Sequence, residues 1–99
     1  MSKDPREQVL SFALGIVTGD RAAVYGGVED NFQRIANLWN AYLHDLGLDL
    51  GIELDPRDVA ILMVLMKVAR LGNSPSHFDS WADIAGYAAC GYAAGEPEA

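Results

Sequence analysis

The segment Asp-Pro-Arg-Asp at 55–58, followed by the apolar run VAILMVLM at 59–66, is the feature that most narrows the fold. Aspartate before proline is a strong helix start, because the carboxylate caps free backbone N–H groups and proline suits the first helical position. The run stops at Lys67, too short to cross a membrane. It predicts a central core helix over about 56–71, apolar nearly all round, with Gly72 as its C-cap.

Three further helices are predicted from capping residues and apolar spacing. No run alternates apolar and polar residues over five positions between turn signals, so no strand is expected. The fold class is therefore all-α, a compact bundle of about four helices in one domain over 1–95, with a loose acidic tail at 96–99. The other helices are expected from Pro5 to about Thr18, from Glu29 and Asp30 to near Gly47, and from Ser76 or Asp79 to Gly95.

Apolar stripes and small residues predict which helical faces are buried. Glycine inside a helix costs about 1 kcal/mol relative to alanine, so Gly86 and Gly91 are expected to serve close helix packing, within or between subunits, or alternatively to leave room for a ligand. Cys90 among them is expected to act as a small core residue. The predicted buried positions are Phe32, Ile35, Ala36, Trp39, Tyr42, Leu43 and Leu46 on the second helix, and Trp81, Ile84, Ala85 and Ala88 on the fourth.

Size and charge limit the partners. A chain of 99 residues supports one small core, so a sizeable cleft is expected between helices or between subunits, which favours a homo-oligomer. A net charge of -7 with only seven Lys and Arg argues against nucleic acid. The N-terminal residues contain no signal peptide pattern, and a lone cysteine cannot form an internal disulfide, so a cytoplasmic protein without a membrane segment is expected.

Asp79 and Asp83 are the first candidate site. They lie four residues apart on the fourth helix and share a face, with Tyr87 one turn further. Adjacent carboxylates could provide two ligands for Mg²⁺, the one metal that this sequence suggests. Alternatively, Asp79 favours the helix N-terminus and Asp83 faces water or a basic neighbour. The two histidines have no partner at zinc-ligand spacing.

Lys67 and Arg70 are the second candidate group. They lie three residues apart, and an antiparallel fourth helix would bring them near the acidic pair. This mixed cluster is either a salt-bridge network or a site that holds phosphate and metal together. Arg21 could add a planar contact to phosphate and Tyr25 a stacking surface. No phosphate-binding loop or hydrolase motif is present in the sequence.

Four segments together resemble a small domain family of unassigned function that is common in tailed bacteriophages: DRAAVYG at 20–26, NFQRIANLW at 31–39, DVAILMVLMKVAR at 58–70 and DSWADIAGYA at 79–88. That family is similar in turn to the all-α, MazG-like nucleotide pyrophosphohydrolases. Those enzymes are oligomers that hold Mg²⁺ with Glu-x-x-Glu and Glu-x-x-Asp pairs. Only the later pair has a counterpart here, Asp79 and Asp83, at a spacing of four. The resemblance therefore favours binding over hydrolysis.

Three functional hypotheses follow. The first is a cytoplasmic, phage-encoded oligomer that sequesters a nucleotide-derived immune signal, of cyclic oligonucleotide or cyclic ADP-ribose type, without hydrolysing it. In this hypothesis Arg21, Lys67 and Arg70 hold phosphate, Tyr25 stacks, and Asp79 and Asp83 bind ribose hydroxyls or a metal, with no cofactor required. The second is a Mg²⁺-dependent nucleoside triphosphate pyrophosphohydrolase. The third is a protein-binding phage accessory or inhibitor that uses the fourth helix.

Overall fold

The computed structural model describes residues 3–19, 28–49 and 51–95, and this part of the chain is helical with no strand. The helices are α1 (Pro5–Thr18), α2 (Val28–Asp45), α3 (Pro56–Asn73) and α4 (Phe78–Ala94). They form the compact all-α bundle that the sequence predicts. The predicted acidic tail at 96–99 and the segment with Arg21 and Tyr25 lie outside the described residues.

Two helix starts follow the Asp-Pro signals. An Asp4 carboxylate oxygen accepts a hydrogen bond from the backbone N–H of Arg6 at 2.9 Å, and Pro5 is the first residue of α1. At α3, Asp55 and Asp58 form a capping box in which each carboxylate accepts from the backbone N–H of the other residue, at 2.9 and 3.0 Å. Both caps satisfy N–H groups that the helix leaves free.

Gly47 ends α2 as predicted. Its φ of +77° is in the left-handed region, which glycine adopts without a steric penalty. The backbone N–H groups of Gly47 and Leu48 donate to the carbonyls of His44 and Leu43, which is the hydrogen-bond pattern of a Schellman motif.

The predicted boundaries between α3 and α4 were wrong by a few residues. Gly72 lies inside α3, and the C-cap is Ser74, whose N–H donates to the Arg70 carbonyl at 3.0 Å. Pro75 disfavours helical backbone at the residue before it, which explains the later end. The N-cap of α4 is His77, not Ser76 or Asp79: its Nδ1 accepts from the backbone N–H of Ser80 at 3.3 Å.

The central helix is α4, not α3 as expected. It packs along α3, against α1 and, less extensively, against α2. The buried core joins Phe32 and Ala36 of α2 to Val59 and Ala60 of α3. Because α4 is built largely of alanine and glycine, neighbouring backbones can approach it from several sides.

Some predicted core positions are exposed. On α4 the fully buried side includes Ala82 and Gly86, whereas Trp81 is 50% exposed and Ala88 is also exposed. The Trp81 indole N–H donates to the Pro75 carbonyl at 2.8 Å, which places the ring over the turn. On α2 the stripe is buried only in its first half, because Tyr42 and Leu46 are 63% and 55% exposed.

Candidate functional site

The antiparallel pair of α3 and α4 carries the candidate site. A Cβ built on Gly91 would lie only 2.8 Å from the Cβ of Ala60, so the two backbones are close at this point. Four residues earlier on α4, Tyr87 lies at the edge of the core with its ring centroid 6.3 Å from that of Phe32. Small residues therefore set the spacing of the helix pair.

Lys67 and Asp83 form an ion pair across this helix pair. The Lys67 Nζ lies 2.9 Å from a carboxylate oxygen of Asp83, and their side chains are only 12% and 28% exposed. A partly buried pair is screened less by solvent than a surface pair. Two of the predicted site residues are thus brought together, and Asp83 faces a lysine of its own chain.

Arg70 and Asp79 lie near the same end of the helix pair, one in the last turns of α3 and the other in the first turn of α4. Both side chains are exposed. Among the residues that the structure describes, no group of three or more His, Cys, Asp or Glu is arranged to hold a metal ion. The magnesium site that the sequence predicts at Asp79 and Asp83 therefore gains no third His, Cys, Asp or Glu ligand among the described residues.

An open groove of about 650 Å³ runs between α3 and α4 toward the start of α3. Its walls are mostly apolar, with the Tyr87 and Tyr92 rings on one side and the Arg57 guanidinium at one end. Tyr92 is 64% exposed, so its ring is accessible to a ligand. The lining residues are Arg57, Ala60, Ile61, Val64, Leu65, Tyr87, Ala88, Gly91 and Tyr92.

Arg57 lies against the last turn of α4. A Cβ on Gly95 would collide with its guanidinium, which shows how closely the group approaches the C-terminus of α4. A cation there is favoured by the partial negative charge of the helix end. Arg57 thus supports α4 and places positive charge at the mouth of the groove.

A second pocket, of about 380 Å³, lies beyond the end of α2. Asn40 fixes its wall, because the side-chain amide donates to the Leu54 carbonyl and accepts from the Leu54 N–H, both at 2.9 Å. His44 and Glu53 line the pocket with 3.6 Å between Nε2 and Oε1. No sequence pattern predicts this pocket, because Asn40 and Leu54 are brought together only by the fold.

Cys90 is partly buried beside the core and is a free thiol. Burial raises the pKa of this thiol, because the thiolate is disfavoured away from water. A raised pKa lowers the thiolate fraction, and the thiolate is the nucleophilic form. The position fits the structural role that the sequence predicts for Cys90.

The sequence profile of the DUF6378 family, described as a domain of unknown function, matches residues 8–94. The chain belongs to this family. The match spans all four helices of the bundle, including most of α1, which the resemblance in the sequence did not cover.

Relatives of this DUF6378 domain are found in mycobacteriophages. The "Gene 55 protein" of Mycobacterium phage L5 is 44% identical over 80 residues, which cover 81% of this chain and 47% of the phage protein. The "Gene 55 protein" of Mycobacterium phage D29 is 40% identical over 84 residues, which cover 85% of this chain and 51% of that protein. The chain thus spans about half the length of these relatives. They support the bacteriophage context.

No solved structure matches the DUF6378 domain. Within the described residues, no helix is both long and apolar enough to span a membrane.

The groove contains residues that sequence reasoning did not select. Of the predicted ligand-binding residues only Tyr87 lines it, while Arg57, Ile61 and Tyr92 were not considered. A signal was present: Arg57, Ile61 and Leu65 repeat every four residues and therefore share one face of α3. No role was predicted for Arg57, and only its neighbours Asp55, Pro56 and Asp58 were interpreted as the helix start.

Proposed function

We propose that this DUF6378 domain binds a nucleotide-derived small molecule in the groove between α3 and α4 without cleaving it. The observation that carries the proposal is the composition of the groove. Two tyrosine rings and apolar side chains suit the flat faces of a base, and Arg57 at the end suits a phosphate. A volume of about 650 Å³ lies within the range of small-molecule sites.

The ion pair between Lys67 and Asp83 supports binding over hydrolysis. Because Lys67 Nζ already lies 2.9 Å from Asp83, a magnesium ion at this carboxylate would have to displace or repel a partly buried cation. The rival function, a MazG-like pyrophosphohydrolase, needs Asp83 as a metal ligand. Arg70 and Asp79 are exposed at the same end of the helix pair as this ion pair, opposite the Arg57 end of the groove, and stay predicted contacts to phosphate and ribose hydroxyls.

The biological role that we propose is sequestration of an immune signal in the cytoplasm of the infected host. The similarity to two mycobacteriophage proteins supports a phage setting. A phage protein that retains a cyclic oligonucleotide or a cyclic ADP-ribose derivative would remove the signal without turnover. Arg21 and Tyr25, which the sequence also predicts as ligand contacts, lie outside the described residues.

Native mass spectrometry would test this function. The protein is mixed with nucleoside triphosphates, cyclic dinucleotides and cyclic ADP-ribose isomers, with and without Mg²⁺. We expect one class to be retained intact at a fixed stoichiometry. Arg57→Gln and Tyr92→Leu should each weaken that binding at least about fivefold, since a hydrogen bond to a charged group contributes about 1.5–3 kcal/mol and one stacked base about 1–3 kcal/mol.

Matched controls are available on α2. Arg34→Gln removes an exposed arginine outside the groove, and Tyr42→Leu removes a tyrosine that is 63% exposed, against 64% for Tyr92. Both should leave binding unchanged. If no compound on the panel binds, the proposal is wrong. If a triphosphate is returned as monophosphate and pyrophosphate, and Asp83→Asn abolishes that release, the rival hydrolase is correct.

A further inference from the structure

Two exposed apolar strips run side by side on α3 and α4. The α3 strip is Ile61, Leu65 and Val68, which are 52%, 56% and 50% exposed. The α4 strip is Trp81, Ala88 and Tyr92, which are exposed, together with Ala85, which is half-buried. We call the two strips together the apolar platform. The groove described above lies between them at Ile61, Leu65, Ala88 and Tyr92.

The described residues bury little apolar side-chain volume within one copy. Their buried hydrophobic residues are four alanines with Phe32 and Val59, and Val59 is the largest hydrophobic side chain that is fully buried. Leucine, isoleucine and tryptophan side chains are meanwhile half exposed on the platform. Other large apolar side chains are exposed on α1 and α2, but those of the platform lie side by side on two packed helices. A contiguous exposed apolar patch marks an interaction site.

The spacing within the strips indicates what covers them. Successive residues on the α3 strip are four and three apart, and on the α4 strip four, three and four apart. This is the spacing of seam positions in helices that pack as knobs into holes. The α3 strip consists of large side chains, whereas the middle of the α4 strip is Ala85 and Ala88. Large residues of one strip can therefore seat on small residues of another.

We propose that a second copy of this chain docks on the apolar platform, with the two antiparallel α3 and α4 pairs forming a four-helix bundle. A two-fold axis would place the large α3 strip of each copy on the small α4 strip of the other. The same surface then serves both copies, as an isologous contact requires. The partner copy would also close the open side of the groove.

The exposed area of the platform is sufficient for this contact. If the partner covers all of the exposed platform surface, the contact buries roughly 600 Å² per copy, or about 1,200 Å² in total, which is the lower limit of a standard stable interface. None of the seven platform residues is charged. Each copy nevertheless carries a net charge of -7, so repulsion between copies opposes association and is screened by salt.

Sedimentation equilibrium of the full chain without ligand would test the proposal, at about 0.1 M and 0.5 M salt. We expect a dimer whose dissociation constant falls at the higher salt concentration. Leu65→Glu should raise the dissociation constant at least 100-fold, because it places a charge in the middle of the platform. Leu65 is 56% exposed in one copy, so the helical circular dichroism signal should be retained.

The matched control is Leu38→Glu on α2, at a leucine that is 66% exposed and outside the platform. It should leave the dimer unchanged. A wild-type chain that stays monomeric at about 100 μM overturns the proposal. A dimer whose dissociation constant is unchanged by Leu65→Glu overturns it as well. Neither result bears on nucleotide binding, because the measurement contains no ligand.

Discussion

At the scale of single residues, Lys67 and Asp83 determine how the polar side of the α3 and α4 pair behaves. The sequence placed both in one candidate cluster but left open whether they bind a ligand or one another. Their separation of 2.9 Å and low exposure show a pair within the chain. The antiparallel return of α4 was predictable, whereas the pairing depended on the rotation of α4 about its axis.

We expect replacement of one partner of the ion pair to destabilise the protein, and replacement of both partners to change its stability little. Asp83→Leu alone should cost about 2 kcal/mol, less than the 3–5 kcal/mol of fully buried pairs, because it leaves Lys67 without its partner. Asp83→Leu combined with Lys67→Met should stay within about 1 kcal/mol of the wild type. Urea unfolding of the wild type, of each single variant and of the double variant gives the coupling energy. Additive single effects would contradict a direct interaction.

Cys90 should react slowly with alkylating reagents at pH 8. Burial raises the pKa of its thiol, so less thiolate is present than in an unfolded chain at the same pH. The alkylation rate, followed by mass, should increase when urea unfolds the protein.

The raised pKa of Cys90 also gives a stability effect of known sign. The unfolded thiol ionises from about pH 8.5, and the folded thiol only at higher pH. The free energy of unfolding should therefore fall as the pH rises above that value, with a smaller fall in Cys90→Ala. The free energy of unfolding of both proteins is measured by urea unfolding at pH 7.5 and 9.5. An equal fall in the wild type and in Cys90→Ala would show that Cys90 is not the cause.

At the scale of helices, the starts of α1 and α3 were predictable because Asp-Pro signals act locally. The buried side of α4 was not. Alanine and glycine carry almost no apolar contrast, so their order along α4 does not reveal which face is covered. The outcome depends on which neighbours approach closest, as Gly91 does with Ala60 and Gly86 with Val17.

The two glycines inside α4 should therefore respond oppositely to substitution by alanine. Gly91→Ala should destabilise by about 1–2 kcal/mol, because the new Cβ would lie 2.8 Å from that of Ala60. Gly86→Ala should be neutral or stabilising by up to about 1 kcal/mol, since its Cβ would lie 3.5 Å from Val17 Cγ1, an ordinary contact. Thermal unfolding of both variants would decide. Equal losses would show that both sites are equally tight.

The N-terminus of α1 should fray in acid. The Arg6 side chain, and secondarily the Arg6 backbone N–H, lowers the pKa of the Asp4 carboxyl. The stabilising contribution of this cap is thus present above the unfolded value near 3.9 and is lost as pH falls through the lowered folded value. Amide exchange in the first turn should increase there. Asp4→Asn, which keeps an N-cap acceptor, should remove this pH dependence.

At the scale of the whole molecule, a chain that exposes large side chains and buries mainly alanines should be stabilised by association. If the platform pairs two copies, the unfolding temperature should rise by about 3 °C for each tenfold increase in protein concentration. Leu65→Glu should abolish this dependence, and Leu38→Glu should preserve it. Calorimetry over two decades of concentration would measure the effect.

The overall class was predictable from the sequence, and the position of α3 in the bundle was not. Four helices without strands followed from caps, spacing and the absence of alternating runs. A helix that is apolar nearly all round gives no indication of its outer side, so α3 was expected at the centre. The structure instead leaves Ile61, Leu65 and Val68 exposed on the surface that α3 shares with α4.

The contact of Gly91 with Ala60 also determines the width of the groove. Neither position carries a large side chain into a ligand, but together they fix how far apart the groove walls stand. A methyl group added at either position would act as a spacer and widen the groove, and would add only an apolar group to its lining. Variation at these two positions among relatives would then select ligands by breadth, while variation at Arg57 and Tyr92 would select them by chemical type.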